Sequence, residues 1–270
     1  MESNVGTIFY PDFELSPRRK VELVSWLTDS AKWRDLKARI LQAWDADARA
    51  LAARSAALSE HGVLSSARTR RLDATYVVFS KTHPELQGLT CRQVAQKMGN
   101  GDDYLEAARR LYLDDDGLCY AAGGTMWLED IRFLVKYPFC AISTDSSTMA
   151  CPPNLTRPGA SAHPRGYGSF ARVLGQFARD ERIITMEDAV RKMTSLPASL
   201  LGLERRGMVR EGFWADLCLF DPLTVANKAT YADPFQYPAG IKYVVVNGTV
   251  ALEEGTENRT LSGHVLRHRS

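Results

Sequence analysis

The sequence predicts an α/β protein with a barrel-like body and a small β segment near its C-terminus. An apolar run, Phe139–Ser143, leads to Asp145, and a Pro/Gly/Ser-rich loop and a helix-like segment follow. This strand–loop–helix order is the repeating unit of a (β/α) barrel, in which functional residues lie where strands end. Amphipathic helical patterns dominate the chain before the run, whereas short β-rich stretches dominate after Gly207.

Composition excludes several classes of partner. The 270 residues are 45% hydrophobic and 24% charged, which is ordinary for a globular protein. The 34 basic and 32 acidic residues are interleaved, so neither nucleic acid nor a membrane surface is an expected partner. No apolar run is long enough to span a bilayer, and no signal peptide is visible. The cysteines show no CxxC pairing and predict the reduced thiols of a cytoplasmic protein: Cys91, Cys119, Cys140, Cys151 and Cys218.

In the first half, periodic apolar residues and capping residues predict mainly helices. Thr90 and either Asp102 or Asp103 are suitable N-caps, and Pro138 ends the last helix of this half. The predicted elements are helices over Pro17–Thr28 and Ser30–Ser59, a strand over Ala74–Ser80, helices after Thr90 and after Asp102 or Asp103, and a helix over Trp127–Tyr137. Because a strand and then helices precede the Phe139–Ser143 run, parallel packing of the strands is favoured.

The second half begins with helices and ends with β structure. Helices are predicted over Gly168–Asp180 and after Thr185, the latter with Ala189, Val190 and Met193 facing inward. In VVVNGTVAL, Asn247-Gly248 suits a type I′ turn and predicts a hairpin. We place a boundary near Gly207–Gly212, which gives a barrel part over residues 1–208 and a β segment with the tail over residues 209–270.

Asp145 is the first candidate for a catalytic residue, because it follows the end of a predicted strand. The alternative is a helix cap, since aspartate is a favoured capping residue. Lys81 and His83 also follow a predicted strand, and the sequence does not distinguish a substrate contact from a solvated loop there.

Several motifs resemble those of the N-acyl-D-amino-acid deacylases, or D-aminoacylases, of the amidohydrolase superfamily. The resemblance covers most of residues 65–270, and its most distinctive part is the HPR-x-YG-x-F pattern. The motifs are STD at 143–145, HPRGYGSFARVL at 163–174, MTSLPASLLGL at 193–203, GFWAD at 212–216, FDP at 220–222 and YVVVNG at 243–248.

The resemblance implies a metal-dependent (β/α)8 barrel of the TIM type with a small β-sandwich. It implies hydrolysis of the amide C–N bond of N-acyl-D-amino acids to a carboxylate and a D-amino acid. Asp145 matches the family's acid/base and is also a candidate ligand of its zinc. Arg165 matches the residue that binds the substrate α-carboxylate. His163 is a candidate substrate contact, with fixing of the loop as the alternative.

The chain departs from the family in its metal ligands. The family has a His-x-His pair, but the five histidines here include no pair separated by one residue: His61, His83, His163, His264 and His268. Only one convincing strand precedes the one predicted to end at Asp145, which would be the family's eighth. Serine also replaces the family's glycine at position 146. The pattern therefore resembles the C-terminal half of a deacylase, a fragment whose remaining zinc ligands are absent, so that zinc retention and activity of this chain alone are not expected.

Two other hypotheses remain open. The chain could be a non-catalytic remnant that acts through association with a partner chain, because half a barrel leaves strand edges and apolar surfaces uncovered and favours self-association. It could also belong to an amidohydrolase that acts on cyclic amides.

Overall fold

A computed structural model describes residues 2–4, 17–58, 75–123, 128–146, 163–258 and 260–266. The chain divides into two compact units. The first draws on Met1–Asp130, Asn154–His163 and Thr230–Asp233, and the second on Ile131–Pro153, Pro164–Ala229 and Pro234–Ser270. The boundary that the sequence predicts near residue 208 stays a prediction.

The first unit combines helices with a three-stranded sheet. Strands β1 (Glu2–Asn4), β2 (Thr75–Phe79) and β3 (Tyr120–Gly123) pair antiparallel in the order β1-β3-β2. The helices are α1 (Pro17–Thr28), α2 (Ser30–Leu58), α3 (Cys91–Lys97) and α4 (Tyr104–Asp114), with a 3₁₀ turn at Pro84–Leu86. Its core contains most of the apolar residues predicted to face inward on α1 and α2, whereas Val21 and Leu41 are exposed. The buried ones include Leu23, Leu27, Trp33, Leu36 and Ile40.

Side-chain caps fix the starts of α3 and α4. The Thr90 side chain accepts a hydrogen bond from the Gln93 backbone N–H, and the Gln93 side chain accepts one from the Thr90 backbone, which completes a capping box. Asp103, rather than Asp102, caps α4 through the Glu106 N–H. Both predicted helix starts are confirmed. They could be predicted because a side-chain cap depends only on neighbouring residues.

Helices also open the second unit. Helix α5 (Leu128–Lys136) begins in the first unit and ends in the second. Helix α6 (Arg165–Arg172) continues into a π-helix over Val173–Asp180. Helices α7 (Met186–Met193) and α8 (Ser195–Leu200) follow. Thr185 caps α7 by accepting a hydrogen bond from the Asp188 N–H, as predicted. The buried residues of these helices include Ala171, Val173, Leu174, Phe177, Ala189 and Ala198.

A four-stranded antiparallel sheet follows in the same unit. Its strands are β4 (Leu217–Phe220), β5 (Ile241–Val246), β6 (Thr249–Glu253) and β7 (Thr256–Glu257), in that order. Asn247 and Gly248, with φ of 48° and 83°, join β5 to β6. The predicted hairpin is therefore confirmed, since a type I′ turn requires positive φ at both residues.

Two predictions about strands are wrong for the described residues. The Phe139–Ser143 run forms no strand. The strand pairs among the described residues are all antiparallel, whereas parallel pairs were predicted. The run's hydrogen bonds go elsewhere: the Ile142 N–H donates to the Lys192 carbonyl at 3.0 Å. This bond to a helix end satisfies a backbone group without a sheet. No helix among the described residues has the length and apolar character needed to cross a bilayer.

An ion pair within the second unit should make its stability depend on acid. Arg132 donates through Nε and Nη2 to the two carboxylate oxygens of Glu181 at 2.8 and 2.9 Å, and Gln176 donates a third hydrogen bond at 2.7 Å. The Arg132 bonds, and then the Gln176 bond, lower the pKa of Glu181 from 4.5 to about 2. Because the pKa of Glu181 is lower in the folded than in the unfolded state, these contacts stabilise the fold fully above pH 4.5. This stabilisation is lost as the pH falls toward 2.

We therefore expect Glu181→Gln to lower the urea midpoint of the second unit at pH 6, and to lower it progressively less as the pH falls to 3. Unfolding curves followed by tryptophan fluorescence, at several pH values for both proteins, measure the difference. An equal difference at pH 6 and pH 3 would contradict this account of the Glu181 contacts.

Candidate functional site

Asp145 lies in the second unit, in an extended segment that follows α5. Its backbone is left-handed, with φ of 49°, a conformation that aspartate tolerates better than most residues. Its N–H donates to Ser143 Oγ at 3.5 Å, and 80% of its side chain is exposed. The positive φ thus lies at Asp145 itself, next to the serine that replaces the family's glycine at position 146.

Arg165 is the first residue of α6 and contacts Asp145 directly. Its Nη1 lies 3.0 Å from Asp145 Oδ2, and only 21% of the Arg165 side chain is exposed. The Arg165 carbonyl accepts a hydrogen bond from Ser169 Oγ at 2.8 Å, within the first turns of the helix. The structure therefore brings together two of the residues that the motifs single out, although they are twenty positions apart in the sequence.

His163 belongs to the first unit, where it contacts an aromatic pair. Its Nε2 lies 3.5 Å from the Tyr231 hydroxyl, and the two rings meet edge to face with centroids 5.2 Å apart. Tyr231 in turn stacks on Tyr76 at 4.4 Å. Both roles considered for His163, substrate contact and fixing of the loop, stay predictions.

His83 belongs to a charged cluster of the first unit. Its Nε2 lies 3.0 Å from Asp114 Oδ2, and its Nδ1 lies 3.4 Å from Glu85 Oε1. The Asp114 hydrogen bond is the main cause of the raised pKa of His83. The surroundings of His83 are thus acidic side chains at the surface of the unit.

The Asp145–Arg165 pair offers two chemical capabilities. An exposed carboxylate can accept a proton from a water molecule and donate it to a departing group. A guanidinium presents a planar set of N–H donors that matches a carboxylate with two parallel hydrogen bonds. Arg165 already contacts one carboxylate, that of Asp145.

The described residues do not fit a metal centre. Among them, no group of three or more His, Cys, Asp or Glu side chains has an arrangement that could hold a metal ion. The described cysteines are free thiols, namely Cys91, Cys119, Cys140 and Cys218. Asp145 as a metal ligand therefore stays a prediction, with no described side chain to complete its coordination.

Sequence reasoning missed one residue, Lys192. We predicted that Ala189, Val190 and Met193 face inward on α7, but Lys192 is buried together with Ala189, whereas Val190 is exposed. The available signal was the spacing, because residues three apart share a face of a helix and Ala189 lies on the buried one. A lysine at such a position must have oxygen partners in the interior.

Comparison with known proteins agrees with the motifs. Residues 156–252 match the family model described as the amidohydrolase family. The chain is 35% identical over 205 residues to an N-acyl-D-glutamate deacylase of Alcaligenes xylosoxydans xylosoxydans, an alignment that covers 76% of this chain and 38% of that protein. Residues 156–252 thus match the amidohydrolase family, and the resemblance of the chain to N-acyl-D-amino-acid deacylases is confirmed.

Solved structures show the same relationship. A crystal structure of D-aminoacylase, described as defining a novel subset of amidohydrolases, matches with a TM-score of 0.59 and 32% identity, over 76% of this chain and 40% of that one. An N-acyl-D-glutamate deacylase from Bordetella bronchiseptica, complexed with zinc and a phosphonate inhibitor, matches with a TM-score of 0.53 and 33% identity, over 73% and 39%. The chain has a D-aminoacylase-like fold of mixed helices and strands, and it spans about two fifths of the length of these proteins.

Proposed function

We propose that this chain contributes the acid/base carboxylate and the carboxylate-binding guanidinium of an amidohydrolase that cleaves N-acyl-D-amino acids. The observation that carries the proposal is the 3.0 Å contact between Arg165 Nη1 and Asp145 Oδ2. It joins two residues from separate motifs, as expected if both motifs serve one site. The deacylase relative supports the substrate class, since its name gives N-acyl-D-glutamate as what it acts on.

The proposed reaction is hydrolysis of the amide bond. Asp145 accepts a proton from the attacking water as the new C–O bond forms, and it returns the proton to the nitrogen as the C–N bond breaks. The products are a carboxylate and a free D-amino acid. Arg165 binds the α-carboxylate of the substrate's amino-acid moiety. This contact fixes the distance between the scissile amide bond and the Asp145 carboxylate.

The ion pair opens when substrate binds. Asp145 occupies Nη1 of Arg165 with one oxygen, whereas a substrate carboxylate offers two oxygens to the same planar group. Because the substrate carboxylate takes the place of the Asp145 carboxylate, the exchange leaves the largely buried guanidinium with an anionic partner. Asp145 then stays beside Arg165 without a direct bond to it, and its carboxylate is free to accept a proton.

We also propose that the fold is part of a (β/α)8 barrel of the TIM type over residues 1–208, followed by a β segment of a small sandwich over residues 209–270. The D-aminoacylase match supports the first part, and the antiparallel sheet of β4–β7 supports the second. Zinc belongs to the complete enzyme in this proposal, as in the Bordetella deacylase structure. Apart from Asp145, its ligands come from outside the described residues of this chain.

An assembled enzyme tests the function. The chain is combined with the part of the Alcaligenes N-acyl-D-glutamate deacylase that it does not match, and the assembly is given zinc and a panel of amides. We expect hydrolysis of N-acetyl-D-amino acids and none of the L-enantiomers or of cyclic amides. Cleavage of a cyclic amide in preference to the N-acetyl-D substrates would support the alternative amidohydrolase chemistry.

A second candidate function is association without catalysis, and one strand favours it. Strand β4 lies at the edge of its sheet and exposes Leu217 and Leu219. Exposed apolar edge strands pair with other chains, and two copies of the same edge can pair about a twofold axis. We expect the purified chain to self-associate in analytical ultracentrifugation, and Leu219→Lys to shift it toward monomer. A monomeric wild-type chain at high concentration would exclude this candidate.

A further inference from the structure

The segment that leads to Asp145 is fastened to one helix. Residues 137–142 form no strand, and their backbone bonds to the last turns of α7 instead. The Lys192 ammonium donates to the Tyr137 carbonyl and, at 3.4 Å, to the Cys140 carbonyl. The Lys192 carbonyl accepts from the Ile142 N–H at 3.0 Å. Lys192 thus bonds to this segment at three points, the last only three residues before Asp145.

Lys192 is fully buried, with no exposed side-chain surface. A lysine ammonium has three donors and no acceptor, and three oxygens lie within 4 Å of this one. Besides the two carbonyls, Asp188 Oδ2 lies 3.9 Å from Nζ. The neighbouring Arg191 adds a hydrogen bond from Nη2 to the Pro138 carbonyl at 2.7 Å.

Burying the Lys192 ammonium does not by itself stabilise the fold. Replacing a buried ionic group by an apolar side chain of similar volume is often neutral or stabilising. The ammonium instead fixes the positions of two carbonyls, those of Tyr137 and Cys140, in a segment that is not part of a sheet. Because the chain is continuous, fixing residues 137–142 restricts where the Asp145 carboxylate can lie relative to Arg165, which α6 holds.

We propose that Lys192 is a positioning residue that holds the Asp145 carboxylate against Arg165. The proposal rests on the function proposed above for these two residues, and it assigns Lys192 a role through Asp145 rather than a contact with substrate. Without the ammonium, the segment loses two of its anchors and Asp145 samples positions away from the guanidinium.

NMR of the full 270-residue chain tests the proposal without substrate or metal. The effect of Asp145→Asn on the chemical shift of the Arg165 Nε–Hε signal is measured twice. It is measured once in the wild-type chain and once in the chain that already carries Lys192→Met. We expect the Asp145→Asn change to shift the signal in the wild-type background and to shift it several-fold less in the Lys192→Met background. Hydrogen exchange of the amides over 140–145 should accelerate by about tenfold or more in Lys192→Met.

Two controls separate positioning from general stability. Ala198→Gly removes a buried methyl group from α8 in the same unit, and it should leave the response of Arg165 to Asp145→Asn unchanged. Arg191→Gln removes the bond to Pro138 and the ion pair with Asp188 but leaves the Lys192 ammonium in place, and it should accelerate exchange less than Lys192→Met does. An unchanged Arg165 response in Lys192→Met overturns the proposal.

A measurement on wild type covers the case in which Lys192→Met does not fold. If Lys192 fastens the segment, the Ile142 amide exchanges at least about tenfold more slowly than an unstructured amide; unprotected exchange at Ile142 overturns the proposal. These readouts do not depend on hydrolysis. An assembled enzyme that fails to cleave any N-acyl-D-amino acid would therefore refute the proposed function while leaving the effect of Lys192 on the Asp145–Arg165 pair measurable.

Discussion

Asp145→Asn is expected to reduce the kcat of the assembled enzyme by about 10²- to 10⁴-fold, the usual contribution of a positioned acid/base. Asparagine keeps the size of the side chain and can still lie beside Arg165, but it cannot accept a proton from water. The fall should appear in kcat and in kcat/KM alike, because proton transfer occurs in the transition state. Initial rates with N-acetyl-D-glutamate measure it.

Asp180→Asn is the matched control for this change. Asp180 also pairs with an arginine in the same unit, with its Oδ1 at 2.7 Å from Arg179 Nε and 57% of its side chain exposed. Loss of that exposed pair should change kcat less than twofold. If both variants lowered kcat equally, the acid/base role of Asp145 would be wrong.

Arg165→Gln is expected to lower kcat/KM by about 100-fold, mostly through a higher KM, because a charged partner of the substrate carboxylate is lost. Arg165→Lys should recover only part of the loss, since an ammonium cannot form the two parallel hydrogen bonds of a guanidinium. A substrate analogue without the α-carboxylate should react equally poorly with wild type and with Arg165→Gln.

Arg172→Gln is the control at the other end of the same helix. The Arg172 Nε donates to Gln176 Oε1 at 2.7 Å, a contact unrelated to Asp145. Its replacement should leave KM within about twofold, because this part-buried contact involves neither Asp145 nor the Arg165 guanidinium. An unchanged KM in Arg165→Gln would exclude Arg165 as the carboxylate-binding residue.

Features that depend on neighbouring residues were predictable from the sequence. The caps at Thr90 and Thr185 and the turn at Asn247-Gly248 each need only a few adjacent side chains with known conformational preferences. The amphipathic helices of the first unit follow from the spacing of their apolar residues. Local chemistry therefore gave these elements close to their observed ends.

The Phe139–Ser143 run shows where such reasoning ends. Its apolar pattern suits a buried strand, yet Phe139 is 75% exposed and the backbone of Ile142 bonds to Lys192, fifty residues later in the sequence. A strand requires a partner strand, and its own residues do not specify one. The buried lysine was likewise hidden, because its carbonyl partners come from a distant segment.

The candidate site was predictable as a set of residues but not as an arrangement. The motifs singled out Asp145 and Arg165 separately, and a family resemblance assigned their roles. Their contact depends on how the chain returns after Ser146 to begin α6, which is a property of tertiary packing. The left-handed backbone at Asp145 was equally unpredictable, since aspartate adopts it only where the surrounding chain requires it.

In the proposed function, this chain supplies the carboxylate and guanidinium of a deacylase site, whereas its described residues hold no complete set of ligands for the metal. The most direct measurement is zinc bound per chain, together with hydrolysis of N-acetyl-D-glutamate, for the purified chain and for the assembled enzyme. The account predicts less than one zinc per chain and no hydrolysis for the chain alone, with both restored on assembly. One tightly bound zinc and D-selective hydrolysis by the purified chain unaided would contradict it.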